Sequence, residues 1–256
     1  MNRSEIFYFD VDGTLLDNAT HTVPESTLEA LNELKSKGYL VALCTGRTLV
    51  GIQEAGVDKL IDWDGYVLAN GSLILDKNMN VIKEVVMDPK WVQTLVKHNP
   101  GPLLIEGERN FLTGEPNDRL HAALEHFKIP EVYPVETYTD QKAYNIITYN
   151  FDTFPEDLKE TFFEDIDIVF DQLGNSELIL KASGKHNGVQ TLNKHLNVSL
   201  YSGFGDGHND VDFLKNANYS VAMMNGCSEV KEVATFTTLA VADNGIAHAL
   251  KYFGVL

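Results

Sequence analysis

Basic residues are scarce in this 256-residue chain: 20 Lys and Arg face 37 Asp and Glu, for a formal charge of −17. That balance excludes sequence-independent nucleic-acid binding, which rests on a basic field. It also repels small anions, so any phosphate site has to carry its own local cations or a metal. Cysteine is nearly absent. Cys44 and Cys227 show no close pairing and no metal-ligand spacing, and both read as buried small hydrophobes of a reducing compartment. No apolar run approaches the ~20 residues that span a bilayer. Met1-Asn2-Arg3-Ser4-Glu5 leads into the first apolar segment without a signal-peptide core. A cytoplasmic protein with no membrane partner is expected. Also missing are a His-x-x-x-His pair, a Gly-x-x-x-x-Gly-Lys phosphate loop, a Gly-x-Gly-x-x-Gly after the first apolar run, and any internal repeat.

What is present is 44% apolar residues, enough for a core, in a chain long for one core and short for two large domains. The apolar run Ile6–Phe9 has the character of a strand buried in a parallel sheet. It ends in Asp10 and Asp12, followed at once by Gly13 and Thr14. Buried unpaired acids are costly, so the strand must stop there, at the rim where open α/β sheets bind ligands. Two carboxylates so placed suit phosphoryl transfer. Asp10 is positioned to attack phosphorus and form an aspartyl phosphate. Asp12 is positioned to protonate the leaving oxygen and then deprotonate water, which calls for desolvation or a neighbouring anion around it. The other reading is an acidic turn at Asp12-Gly13.

Val23-Pro24-Glu25-Ser26 opens a helix with Leu28, Leu31 and Leu34 on one stripe, closed by Lys37-Gly38. A second buried strand, Tyr39–Cys44, stops at Thr45-Gly46-Arg47, where a helix is expected to begin. A hydroxyl, an unobstructed N–H and a cation suit phosphate; a plain N-cap Thr with a surface Arg is the alternative. A third strand, Tyr66–Ala69, ends at Asn70-Gly71, read as a turn in preference to a site residue, and a hairpin follows across Asp76-Lys77-Asn78.

The rhythm then changes to an α+β pattern. Helices are expected at Pro89–His98, Pro116–Phe127 and Pro155–Phe163, with strands at Leu103–Ile105, Asn145–Tyr149, Ile166–Phe170 and Glu177–Leu180. Residues 84–182 therefore read as a module inserted into a core made of residues 1–83 and 183–256. The expected fold class is α/β: a Rossmann-like parallel sheet with helices on both faces, plus this α+β cap. Beyond the insert come a helix carrying Val189, Leu192 and Leu196, a buried strand Ser199–Phe204 and a helix Val211–Asn216. Short strands at Tyr219–Met223 and Thr238–Val241 and a closing helix, Asn244–Phe253, complete the chain.

The strand Ser199–Phe204 ends at a second acidic turn, Gly205-Asp206-Gly207-His208-Asn209-Asp210. Mg²⁺ takes oxygen ligands and keeps several waters, so few carboxylates suffice. Asp10, Asp206 and the Asp12 carbonyl are a fitting set, with Asp210 orienting ligands from behind. A Ca²⁺ loop is ruled out by the absence of its twelve-residue spacing and terminal Glu. Lys185, in Ser183-Gly184-Lys185-His186-Asn187-Gly188, is the cation expected to offset these acids and the phosphoryl oxygens, unless it is a surface lysine.

Taken together, Asp10-Val11-Asp12-Gly13-Thr14, Thr45-Gly46-Arg47, Lys185 and Gly205–Asp210 resemble the haloacid dehalogenase superfamily in its Cof-type sugar-phosphatase branch, over the whole chain. The resemblance implies Asp10 as nucleophile, Asp12 as general acid/base, Thr45 and Gly46 as phosphoryl ligands and Lys185 as charge stabiliser. It further implies Asp206, Asp10 and the Asp12 carbonyl around Mg²⁺, Asp210 in support, and Asn209 near the phosphate or Lys185. The third motif departs from the Lys-Gly order, since Gly188 follows Lys185 by three positions. Ala222-Met223-Met224-Asn225-Gly226 departs from Met-Gly-Asn, leaving Asn225 without an assigned role. The expected activity is Mg²⁺-dependent hydrolysis of small phosphorylated metabolites, with the insert selecting the leaving group. A phosphotransferase or mutase using the same aspartyl phosphate, and a non-enzymatic metabolite binder, are the alternatives.

Overall fold

The computed structural model of the protein describes residues 5–99, 101–126, 132–149, 164–170 and 173–256. The chain divides into two compact units, Met1–Glu84 with Gly184–Leu256, and Val85–Ser183. The first unit opens with β1 (Ile6–Phe9), α1 (Glu25–Ser36), β2 (Leu40–Cys44), α2 (Leu49–Glu54), β3 (Gly65–Leu68), β4 (Leu73–Asp76) and β5 (Val81–Glu84). The second unit holds α3 (Pro89–His98), β6 (Leu103–Glu106), β7 (Asn110–Leu112), α4 (Asp118–His126), β8 (Asn145–Thr148), β9 (Ile166–Phe170) and β10 (Ser176–Leu180). The first unit resumes with α5 (Lys185–Leu196), β11 (Tyr201–Gly205), α6 (Val211–Lys215) and β12 (Tyr219–Ala222). It ends with α7 (Ser228–Val233), β13 (Phe236–Thr237) and α8 (Gly245–Tyr252).

The first unit is built on one eight-stranded sheet in the order β13-β12-β11-β1-β2-β3-β4-β5. Neighbours from β13 to β3 are parallel, and β3-β4-β5 continues antiparallel. β1 sits between β11 and β2, which is why all of Ile-Phe-Tyr-Phe is apolar and buried. Ile6 and Tyr8 join Val189 and Leu192 of α5, Phe213 and Leu214 of α6, and Val230 of α7 in one core cluster. Phe7 and Phe9 alternate to the other face. There the Phe7 ring meets Tyr39 edge-on at 5.1 Å, Phe9 stacks on Phe204 at 4.7 Å, and α1 packs against β2 and α8. Burying each such side chain contributes about 2 kcal/mol. This is the expected fold class.

Strand register sets the positions of the polar residues. Phe9 pairs with Phe204 on one side and with Leu43 on the other. The residues that follow the three strands (Asp10 after β1, Thr45 after β2, Asp206 after β11) therefore emerge along one rim of the sheet.

Among its described residues the second unit carries a five-stranded antiparallel sheet, β7-β6-β8-β10-β9. Alternation along β6 explains its two layers. Leu103 and Ile105 pack with Val92 and Leu95 of α3, whereas Leu104 packs with Leu120, Ala123 and Leu124 of α4. The helix expected at Pro155–Phe163 lies outside the described residues.

Several local expectations need correction. The helix after β2 starts at Leu49, not beside Thr45; Thr48 is its cap, accepting the Gly51 N–H at 3.3 Å. The strand expected at Thr238–Val241 is instead Phe236–Thr237. Its ladder pairs Val221 with Phe236 and Ala222 with Thr237, and the chain then coils into a 3-10 turn at Val241–Asp243. β7 and α7 were not anticipated; three and six residues respectively are too few to display a period. Cys44 is buried, but Cys227 is only half-buried because it caps α7 at the surface.

Candidate active site

After Phe9 the chain closes into a tight loop in which the Val11 carbonyl accepts N–H bonds from Thr14, Leu15 and Leu16. This turn leaves Asp10 pointing into the rim, with its own N–H still tied to Phe204 of β11 at 3.0 Å. The Asp10 side chain is almost fully enclosed, and its Oδ1 accepts from Lys185 Nζ at 2.7 Å.

Lys185 is the first residue of α5, and its side chain is 1% exposed. A cation in the first turn opposes the helix dipole, and burial opposes it further. Both costs are offset because Nζ also donates to Asp210 Oδ1 at 2.5 Å. Burial works against the charged amine, but Asp10 and Asp210 outweigh it and raise the Lys185 pKa, so the lysine stays protonated. Its helix is anchored by the Gly184 N–H, which donates to the Asn70 carbonyl at 2.6 Å.

Asp210 is completely buried. Its Oδ2 accepts the N–H groups of Asp206 and Gly207, each at 3.0 Å, so both of its oxygens are engaged and it braces the acidic turn. Asp206 Oδ1 accepts from Thr14 Oγ1 and Oδ2 from Asn225 Nδ2, both at 3.4 Å. Asn225 also donates to the Gly13 carbonyl at 2.7 Å, tying the first acidic loop to the second. Gly13 is obligatory here: φ is +73°, and a Cβ would sit 2.1 Å from Asp206 Oδ2.

The electrostatics show a deficit of positive charge. Burial pushes the Asp10 carboxyl well above the usual range; Lys185 opposes this, while Asp210, Asp206 and Asp12 add to it. Burial, reinforced by Asp210, pushes Asp206 up to about 7. One lysine does not balance these acids. Ligand oxygens of Asp10, Asp206 and Asp210 lie within 4.8 Å of one another. A hard, all-oxygen donor set so short of cations fits Mg²⁺.

Asp12 differs from expectation. Its side chain is 47% exposed, and its neighbour is a cation. Arg47 Nε donates to Oδ2 at 2.7 Å and an Arg47 terminal nitrogen to Oδ1 at 2.6 Å, a bidentate clamp. Another Arg47 nitrogen holds the Gly51 carbonyl at 3.1 Å. Thr45 is buried, and its Oγ1 accepts the Arg47 N–H at 3.1 Å. Gly46 packs against the side-chain amides of Asn70 and Asn209, and Asn209 Nδ2 donates to Asn70 Oδ1 at 2.9 Å.

The structure thus brings buried Asp10, Lys185 and Asp210 and half-buried Asp206 into one cluster. Asp12 is held apart by Arg47, and Thr45, Gly46 and Asn209 line the neighbouring rim. Arg47's pairing and the place of Asn225 escape sequence reasoning, which reads Asn70 as a turn in preference to a site residue. Asn70 follows β3, and Asn225 lies just beyond β12. Their places behind the ends of parallel strands were the available signal. The turn reading of Asn70-Gly71 is correct, with φ +52° at Asn70, yet Asn70 also borders the cluster.

The family profile of the haloacid dehalogenase-like hydrolases matches residues 7–250. The curated relative named putative phosphatase YkrA, from Bacillus subtilis, is 26% identical over 265 residues, covering 99% of each chain. A solved structure of a hypothetical protein from Geobacillus kaustophilus superposes with a TM-score of 0.87 at 26% identity, over 99% of this chain and 100% of that one. The sugar phosphatase BT4131, of the superfamily's subclass IIB, shares the fold with a TM-score of 0.82 at 24% identity, over 99% and 100% of the two chains. The chain belongs to the haloacid dehalogenase-like hydrolases, in their Cof-type branch, and is an enzyme of the phosphatase class. Among the described residues no helix is long and apolar enough to cross a membrane.

Proposed function

We propose that this protein is a Mg²⁺-dependent phosphomonoesterase for small phosphorylated metabolites, sugar phosphates or similar, working through an aspartyl phosphate on Asp10. The observation that carries this reading is the buried Lys185 bridging Asp10 and Asp210 beside Asp206. A surface lysine near a helix start would not be buried between two acids.

Asp10 Oδ1 is occupied by Lys185, so Oδ2 is the atom free to attack phosphorus. Lys185 steadies the negative charge that builds on the phosphoryl oxygens. The Thr45 hydroxyl, whose oxygen already accepts from Arg47, has its O–H left to donate to a phosphoryl oxygen, and Gly46 and Asn209 are the other phosphoryl ligands of this reading. In this reading Asp12 is the acid/base: it enters the step protonated, with one oxygen released from the Arg47 clamp, gives that proton to the leaving oxygen and takes one back from the water that cleaves the acyl phosphate. The Asp10 and Asp206 carboxylates and the Asp12 carbonyl, with Asp210 behind them, would hold Mg²⁺, which would supply positive charge to offset the carboxylate and phosphate anions. The Val85–Ser183 unit acts as the cap that selects the leaving group. The free thiols Cys44 and Cys227 fit a cytoplasmic setting.

Phosphate release from a panel of sugar phosphates, flavin mononucleotide, pyridoxal phosphate and p-nitrophenyl phosphate tests this. Release that needs Mg²⁺, stops with chelator and disappears in Asp10→Asn supports it. Folded, Mg²⁺-loaded protein that cleaves none of them refutes it.

A further inference from the structure

Among the described residues a second group of metal-ligating side chains converges, on the outer side of the acidic turn: His208, Cys227 and Glu229. One ligand atom from each lies within 4.8 Å of the others, and His208 Nδ1 stands 3.9 Å from Glu229 Oε1. From this geometry we infer that the protein has a second metal site, for a borderline-soft divalent cation of the Zn²⁺ class, made by the His208 imidazole, the Cys227 thiolate and the Glu229 carboxylate.

The donor chemistry distinguishes it from the oxygen-only cluster at Asp10, Asp206 and Asp210. Mg²⁺ has no use for sulfur, whereas a nitrogen, sulfur and oxygen triad matches Zn²⁺ or Co²⁺. Bonds of about 2.0–2.3 Å in a tetrahedral site put ligand atoms roughly 3.3–3.7 Å apart. The three side chains need to close by about an ångström, and they are free to do so: His208 and Glu229 are 69% and 50% exposed and Cys227 is half-buried. Three protein ligands leave the fourth position to water. The Cys227 thiol and His208 already act on the Glu229 carboxylate, helping to hold it below the usual range behind its main-chain and Ser228 hydrogen bonds. The charge balance is simple: the cation takes the place of the Cys227 thiol proton, which leaves as H⁺. A formal charge of −17 favours the cation's approach.

The backbone ties this group to the acidic turn. His208 lies within that turn, and the Cys227 N–H donates to the Asp206 carbonyl at 2.9 Å. The pattern is invisible in the sequence, because Cys227-Ser228-Glu229 meets His208 only through the packing of α7 beside the turn.

The test is a Co²⁺ titration of the full chain in excess Mg²⁺, followed through the thiolate-to-cobalt charge-transfer absorption, with Zn²⁺ added to displace it. One equivalent should bind with that absorption and be displaced by Zn²⁺. Cys227→Ser, checked for folding by circular dichroism, should abolish the band. His208→Asn and Glu229→Gln should each weaken binding about tenfold or more. Absence of the band in the wild-type protein, a band surviving Cys227→Ser, or affinity unchanged in His208→Asn would each overturn the assignment.

Discussion

Lys185 Nζ donates to Asp10 Oδ1 at 2.7 Å with both side chains sealed from solvent. Removing the lysine leaves Asp10 and Asp210 buried without their cation. Lys185→Gln is expected to lower kcat by about 100-fold or more, as loss of a transition-state donor does. It should also cost about 3 kcal/mol of folding stability in metal-free protein. Steady-state kinetics and urea unfolding, each with and without Mg²⁺, measure the two effects; added Mg²⁺ should return part of the stability.

Arg47 holds Asp12 by both oxygens at a half-exposed place on the rim. Arg47→Met should lower kcat about 10- to 100-fold, because Asp12, the proposed acid/base group, loses the contact that positions it. Stability should change by less than about 1 kcal/mol, since exposed ion pairs contribute little. Arg47→Lys should not rescue the rate, as an ammonium cannot reproduce the two-pronged contact. Kinetics of the two variants beside their melting curves test this.

The Asp206 carboxyl, pushed up to about 7 by burial and Asp210, links stability to pH. Between the ordinary aspartate range and pH 7 the folded state holds a proton that the unfolded chain has released. Metal-free protein therefore loses stability as pH rises through that window. A cation on the site removes the penalty, so the rise in Tm on adding Mg²⁺ should be larger at pH 7.5 than at pH 5.5. Thermal melts at both pH values, with Mg²⁺ and with chelator, read this directly; an equal shift at the two would contradict it.

Gly13 and Gly38 share a left-handed backbone but differ in surroundings. A Cβ on Gly13 meets Asp206 Oδ2 at 2.1 Å, whereas one on Gly38 has nothing within 4 Å. Gly38→Ala should cost only the backbone term, about 1–2 kcal/mol, and leave Mg²⁺ affinity alone. Gly13→Ala should displace Asp206 and weaken Mg²⁺ binding about tenfold or more. Calorimetric titration of the two variants separates strain from loss of the site.

Much of this was legible because of one regularity: in a parallel sheet the strands are continuous apolar runs, so a polar residue closing such a run marks the rim. Asp10 after Phe9, Thr45 after Cys44 and Asp206 after Gly205 each carry that mark, and register aligns all three. Lys185 was legible only by motif, since its burial depends on acids 175 and 25 residues away. Asn70 reads as a turn because a turn and a site-bordering residue look identical in Asn-Gly. Asn225 was hidden because its partner Gly13 lies 212 residues off. The surroundings of Asp12 were misjudged for a similar reason: nothing local says that the guanidinium two residues beyond Thr45 folds back onto it.

The most direct test of the account is to trap the enzyme during turnover of p-nitrophenyl phosphate with Mg²⁺ and reduce it with borohydride, using Asp12→Asn to slow breakdown of the acyl phosphate. Mass spectrometry of the peptides should then find residue 10 converted to homoserine, and nowhere else. An Asp12→Asn protein that releases the nitrophenol of its first turnover yet leaves Asp10 unmodified would contradict a covalent role for this aspartate.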